Sequence, residues 1–562
     1  MLGGVAFGSA AILAAAALAS LAGSLTPWVS GAALAAGAVA GVRAVRSGRP
    51  AATTEARFTR WEWLALVVFG LVSLRQFLWL VFERQGALLT LLPHNYGDLP
   101  LHWTYVRHLA SGAPFWPENP ILTHTRLRYP LGVDLLTAAF VVLGVGLPLV
   151  LQAMGLAGAL LTALALRRWG GAFAVAGFLF CGGVAGVTSL PSLRLVDVDT
   201  MVAWKNLYLA LFVPQRGFLL ALPAGLVLLE SWRSRLLRGE PQRLASSVEG
   251  LLWGALPLVH LHTFAFVSLL FGVWSLTSGR WRAALPTLAV ALGPAAWGVV
   301  QVTGALHATS AGAGAPSLVG WAPGWVIGAE PPLAFLARNF GFWLPLAVAA
   351  LVVALRSRRS EPLLVLVPSL GLFFALFFVR VAPWAWDNTK LMLWCVVAVL
   401  PALEGLVLAR LGLAGRAAAL ALLFASGTLS VLWGCAGPLP RLEILERSEY
   451  EGVCEALARV PTTRVATQQT FNHPVALCGR ALVAGYPGHL WSHGLDASAV
   501  EARLRRLMLG EPGWQQDADA LGASHVFWGV REAAAFPGSA RPWEALGPPA
   551  ASGSWGALYR LR

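Results

Sequence analysis

Residues 380–410 read RVAPWAWDNTKLMLWCVVAVLPALEGLVLAR. Arg380, Asp387, Asn388 and Lys390 crowd one end with Trp384 and Trp386, an apolar run fills 391–409, and Arg410 closes the other end. An apolar run of roughly 20 residues matches the hydrocarbon core of a bilayer, and tryptophans favour its interface. Such a segment is a membrane span with acid, amide and amine on one side and arginine on the other. The asymmetry recurs. The aspartates of the first 434 residues are Asp98, Asp134, Asp197, Asp199 and Asp387, and the chain's two lysines, Lys205 and Lys390, share segments with three of them. Scarce acids and amines gathered on one face of a hydrophobic body mark a site there.

The whole composition agrees. Of 562 residues 57% are hydrophobic and 12% charged, and mean hydropathy is +0.66. Soluble domains carry about 25% charged residues, so a water-soluble globule is excluded. The net charge of +14 sits largely in short loops between spans, the positive-inside signature, so nucleic acid is not an expected partner. The cysteines show no zinc spacing: Cys181 and Cys395 fall in apolar runs, while Cys454 and Cys478 could pair if the tail is extracytoplasmic, or stay free.

Spans are expected near 5–24, 29–45, 62–82, 147–166, 172–190, 216–232, 247–260, 263–278, 284–303, 337–355, 362–380, 391–409 and 417–434. The start of the chain lacks the basic region of a signal peptide, so 1–46 reads as a helical hairpin. Arginine groups at 43–60, 167–168, 233–243, 280–282, 356–359 and 410–416 share one side if residues 132–146, which carry Asp134, lie re-entrant or at the interface. The expected fold is a mostly α polytopic bundle of about 13 spans, N-terminus inside. Residues 47–435 form its transmembrane domain and 436–562 an extracytoplasmic α/β or α+β domain of about 120 residues. There, ATQQTF and HVFWGV read as strands and 497–509 as an amphipathic helix.

Loops 83–131, 191–215, 260–263, 304–336 and 381–390 then face outward together. In the first, Asp98 precedes Pro100 where a helix would start; it either caps that helix or serves as a carboxylate at the membrane surface. His102 follows at helical spacing, and Glu118, Arg128 and Tyr129 extend the polar inventory. In the second, Asp197 and Asp199 form an Asp-X-Asp pair suited to a hard cation. Lys205, Gln215 and Arg216 follow, with Arg216 opening a span whose N-terminus favours anions, as phosphate recognition needs, unless it only snorkels. His260 and His262 mark a tight turn in which both rings of a strand-like segment point one way. Asp387, Asn388 and Lys390 lie beside a tryptophan platform of the kind that binds sugar rings, or form a local interfacial anchor. No nucleotide-binding loop, hydrolase elbow or HExxH motif is present.

With these pieces placed, the chain resembles the C-type (GT-C) integral-membrane glycosyltransferases, and among them bacterial multi-spanning members. The resemblance rests on the many spans, the long first outer loop bearing an acid, the Tyr129-Pro130-Leu131-Gly132 helix start and the soluble tail. It rests also on the runs Leu207–Gly217, Trp386–Lys390 and Gly485–Gly494. It implies a glycosyltransferase in the bacterial cytoplasmic membrane that moves a sugar from a polyprenyl-phosphate donor to a glycan, lipid or protein acceptor on the outer face. Asp98 would be the catalytic base and the polar residues above would bind substrate. Asp98, Asp197 and Asp199 would hold a divalent cation, Mg or Mn. A lone first-loop acid departs from the family pattern, which leaves metal dependence open, with His102 or Glu118 as substitutes. Two other classes compete: a lipid or polysaccharide transporter or scramblase, which needs mid-span charges and inverted repeats, and a non-catalytic envelope-assembly protein.

Overall fold

In the computed structural model the described residues are 1–47, 58–187, 195–304, 319–324, 326–358, 360–436 and 442–561. Of the expected outer and arginine segments, Arg49, Arg57, Arg359, the opening of loop 191–215 and residues 305–318 lie outside them.

The bundle begins with α1 (Leu2–Ala22) and α2 (Pro27–Ser47), the hairpin read from sequence. Gly37 and Gly41 let the two backbones touch: a Cβ on either would sit 2.8 Å from the carbonyl oxygen of Phe7 or Gly3. Next come α3 (Arg60–Leu78), α4 (Asp98–Ala110), α5 (Gly132–Val142) and α6 (Leu147–Phe180). α6 is two helices in one run, broken where Gly171 takes φ +61°, which accounts for the two spans expected there. Then follow α7 (Phe218–Trp232), α8 (Ser246–Val259), α9 (Leu261–Thr277), α10 (Trp281–Thr303), α11 (Pro332–Phe340), α12 (Trp343–Arg356), α13 (Ser360–Ala375), α14 (Asn388–Leu406) and α15 (Leu413–Cys435).

Every expected span has a helix, but not every helix is a full span. Among the described residues seven are long and apolar enough to cross a membrane, and α11 with α12, bent by 95°, would make an eighth. α5, α8, α9 and α13 are apolar but shorter. At 1.5 Å per residue, 14 to 17 residues reach only about 21–26 Å, short of a hydrocarbon core of about 30 Å. Thirteen spans is therefore more than helix length alone supports. The chain is nonetheless a multi-pass membrane protein in composition and helix count.

Arginines of three of the groups, 167–168, 233–243 and 280–282, meet at one end. Arg167 pairs with Glu62 (3.2 Å), Arg233 with Glu361 (2.7 Å) and Arg235 with Glu249 (2.9 Å). Arg280 donates to the carbonyls of Arg235 and Leu236, which turns the end of α9 back beside the end of α7. Met1 lies close enough to Arg168 to feel its charge, so the N-terminus belongs to this end too.

Beyond the bundle, β1 (Phe82–Arg84) and β2 (Ala87–Thr90) form a hairpin in the first loop, β3 (Gly320–Trp321) pairs with β4 (Val379–Arg380), and β5 (Leu442–Glu446) joins β2 antiparallel. The tail thus starts inside a sheet supplied by the first loop. It continues through α16 (Arg447–Arg459), β6 (Arg464–Ala466), α17 (Pro474–Leu477), β7 (Ala481–Leu482), α18 (Pro487–Ser492) and α19 (Ser498–Leu509). α20 (Trp514–Leu521), β8 (His525–Trp528), α21 (Val530–Ala535), β9 (Ala551–Gly553) and β10 (Gly556–Arg560) complete it. Sheet order is β7-β6-β8-β10-β9, with β6 parallel to both neighbours. Of ATQQTF only Ala466 is in a strand: Gln468 N–H donates to Glu532, and Gln469 Nε2 donates to the Gly485 carbonyl and to Glu501, in place of a strand ladder. Cys454 and Cys478 form a disulfide, and Cys181 and Cys395 are buried among apolar side chains.

Candidate functional site

At the end of the bundle opposite the arginines lies a cavity of about 1240 Å³. Its wall takes Asp98 and His102 from α4, Arg128 and Tyr129 from the rest of the first loop, and Lys205 and Gln215 from the second. His260 and His262 join them from the α8–α9 turn, and Asp387 and Lys390 from the start of α14. Sequence segments more than 100 residues apart meet here because their helices run side by side and end at one level.

Asp98 occupies the first helical position of α4 after Gly97, and its side chain caps nothing. Instead it accepts a hydrogen bond from Gln215 Nε2 at 2.8 Å. Burial pushes its carboxyl above the usual carboxylate range, reinforced by Asp387 and opposed by His102, Lys390 and the Gln215 bond. That is the environment of an acid–base group rather than of a cap. Lys390 Nζ stands 3.1 Å from Asp387, one turn away. Trp384 and Trp386 stack at 5.1 Å and line the cavity edge, where Trp491 of the tail reaches Trp384 at 5.6 Å.

Five expected residues lie elsewhere. Arg216 is 2% exposed and turns its guanidinium onto the Leu151 carbonyl at 3.3 Å, so it offers nothing to the cavity. Asn388 is buried and structural: its amide donates to Leu376 and Val379 carbonyls, and its oxygen accepts from Val381 N–H. Glu118 is largely exposed and pairs with Arg464 at 2.9 Å. Asp197 and Asp199 are absent from the cavity wall, and Asp98 is not near them as a third ligand. His262 also departs from the strand-like reading: only His260 is extended, while His262 lies in the first turn of α9, and their rings sit 5.5 Å apart.

Among the described residues the group able to hold a metal is His94, Asp197 and Asp199, with ligand atoms within 4.8 Å of one another. His94 Nε2 contacts Asp199 Oδ2 at 3.0 Å, while Asp199 Oδ1 accepts from Asn206 N–H and Ser430 Oγ at 3.1 Å. One imidazole and two carboxylates fit Mn or Zn better than Mg. Burial, then the neighbouring Asp199, raise Asp197 above its ordinary range.

Sequence reasoning missed His94 and His493. His493, from the GYPGHLWSHG run of the tail, lines the cavity. Burial holds its imidazole down at about 3 and that of His489 at about 4, so both rings are neutral. His489 Nε2 contacts the Gly97 carbonyl at 3.1 Å, tying the tail to the residue that starts α4. Two histidines among glycine, proline and tryptophan were the available signal.

No family model matches the chain, and no curated protein does. Solved structures of an archaeal oligosaccharyltransferase from Archaeoglobus fulgidus align with it at low similarity. The apo form gives 14% identity and a TM-score of 0.43 over 85% of this chain and 70% of that one. The complex with an inhibitory peptide and a dolichol-phosphate gives 15% and 0.40 over 84% and 69%. The complex with Zn and sulfate gives 14% and 0.41 over 83% and 68%.

Proposed function

We propose that the chain is a membrane glycosyltransferase that moves a sugar from a polyprenyl-phosphate donor to a hydroxyl or amide acceptor on the non-cytoplasmic face. The observation that carries this reading is the meeting of Asp98, Lys205, Lys390 and a tryptophan edge around one large cavity, at the end of the bundle away from the arginines. Lys205, Lys390 and Arg128 provide positive charge for a lipid phosphate and for its departure as the leaving group. Asp98 takes the acceptor proton as the acceptor attacks the anomeric carbon. Trp384 and Trp386 offer flat faces to sugar rings. When bound, a divalent cation on His94, Asp197 and Asp199 would add charge stabilisation near the phosphate.

Sidedness is supported by the disulfide Cys454–Cys478, since such bonds persist in oxidising compartments. Positive-inside loop charge independently supports a cytoplasmic arginine end. The test is transfer by the full chain in proteoliposomes supplied with labelled polyprenyl-phosphate hexoses and a mixed glycan, lipid and peptide acceptor pool. Transfer that falls about 10²–10⁴-fold in Asp98→Asn supports the reading. Undiminished transfer in that variant removes Asp98 as base, and lipid-linked sugar profiles unchanged in a deletion strain remove the function.

A further inference from the structure

Asp98 is half-buried on the cavity wall, and the proton it accepts has to leave, to cavity water or to a neighbouring acceptor, before the next turnover. The next polar group on its helix face is His102, four residues along α4. After burial, His102 is the largest influence on the Asp98 carboxyl. His102 is itself 3% exposed, and its Nδ1 lies 2.9 Å from both oxygens of Asp134, which is 2% exposed in the first turn of α5. A carboxylate on Nδ1 fixes the proton of a neutral imidazole there and leaves Nε2 as an acceptor. That Nε2 is buried, has no hydrogen-bond partner, and belongs to a ring on the cavity wall. A ring nitrogen in that position is free to take a proton.

We propose that His102, set by Asp134, is the proton relay of this site: Nε2 takes the proton from Asp98 after each transfer and releases it to water in the cavity. The source of the proton rests on the sugar-transfer reading; the dyad does not. In the transfer step the acceptor O–H breaks, its oxygen bonds the anomeric carbon, and the bond from that carbon to phosphate oxygen breaks with the electron pair leaving on phosphate. The proton then stands on Asp98. In the relay step the Asp98 O–H breaks and an N–H forms at Nε2, and the imidazolium rests against the Asp134 carboxylate until water takes the proton. Nothing is oxidised or reduced.

The groups around His102 come from several elements. Asp98 and Tyr105 share its helix and Asp134 faces it from α5. The Tyr129 ring meets it edge-on at 5.9 Å. His489 and His493 approach from the tail, Arg216 lies within reach of Asp134, and Lys390 acts on Asp98. The two tail histidines are neutral, so Asp134 and Asp98 are the anions that govern the ring. Asp134 is a positioning residue.

The experiment uses the full chain in lipid nanodiscs. Diethyl pyrocarbonate, which modifies neutral imidazole, is applied across pH and each histidine is followed by peptide mass spectrometry. His102 is expected to react with a single titration, and Asp134→Asn to move its midpoint down by about one pH unit or more, because the imidazolium loses its partner. Asp134→Glu, which keeps the charge, restores the midpoint and guards against misfolding. A His102 that stays unmodified at every pH, or a midpoint unmoved in Asp134→Asn, overturns the proposal. With decaprenyl-phosphate glucose or mannose as donor, His102→Gln is expected to keep the first turnover and slow the steady state about 10²-fold. Equal loss in both phases overturns the relay. If wild type turns over neither donor, the sugar-transfer reading fails and the labelling alone decides the dyad.

Discussion

The two ends of the helical bundle use charge in opposite ways. At one end each acid is answered: Glu249, fully buried, accepts from Arg235, Ser231 and Thr287, and Glu361 from Arg233 and Arg238. At the other, Asp98, His102, Lys205 and His262 line a common cavity. A buried charge is costly unless it is paired, and a paired one serves the structure. The contrast separates groups that hold the helices together from groups that await a ligand.

The sharpest way to break that contrast is to remove one acid from each end. Asp98→Asn should cut transfer by about 10²–10⁴-fold while leaving the thermal melt of the purified protein in place. Glu249→Ala should do the reverse, costing about 3–5 kcal/mol by stranding the buried Arg235 guanidinium, read as a lower denaturation midpoint with unchanged activity per folded molecule. Removing the Cys454–Cys478 bridge, which spans 24 residues, should cost the tail about 3 kcal/mol, seen as earlier proteolysis of that region in Cys454→Ser. The pH profile sharpens the comparison further. Burial raises Asp98, and a base works only when ionised, so activity should fall on acidification at a pH above the ordinary carboxylate range. An acid limb at the ordinary position would show that some other group titrates. At the small end, Glu455→Ala breaks an exposed i,i+4 pair with Arg459 and should change stability by less than about 0.5 kcal/mol by the same melt.

Much of this layout was legible in the sequence because bilayers impose a coarse grammar. Apolar run length located a helix for every expected span, and arginine placement foretold which helix ends meet. The convergence of Asp98, Gln215, Lys205 and Lys390 followed from loop sidedness alone. What failed was finer. Arg216 looks like a surface cation, but one turn of helix decides whether a guanidinium faces a cavity or a neighbour's carbonyl, and sequence does not record that rotation. Asn388 sits between two functional-looking residues, yet its amide ties loop carbonyls. His94 and His493 were missed because their partners lie about 100 and 390 residues away in the chain, which no local spacing reveals. The short helices α8, α9 and α13 leave the count of 13 spans without support from helix length, since an apolar run records burial as readily as lipid contact.

The soluble-looking tail is not a portable cassette. Leu482 N–H donates to the Pro120 carbonyl, Gly485 N–H to Ile121, Thr123 N–H to Val483, and Arg464 reaches the Asn119 carbonyl, while β5 completes a sheet begun by β1 and β2. Whoever wishes to exchange this region between homologues must carry residues 82–90 and 117–125 across with it, or the graft will expose backbone donors that were made for a loop some 350 residues upstream.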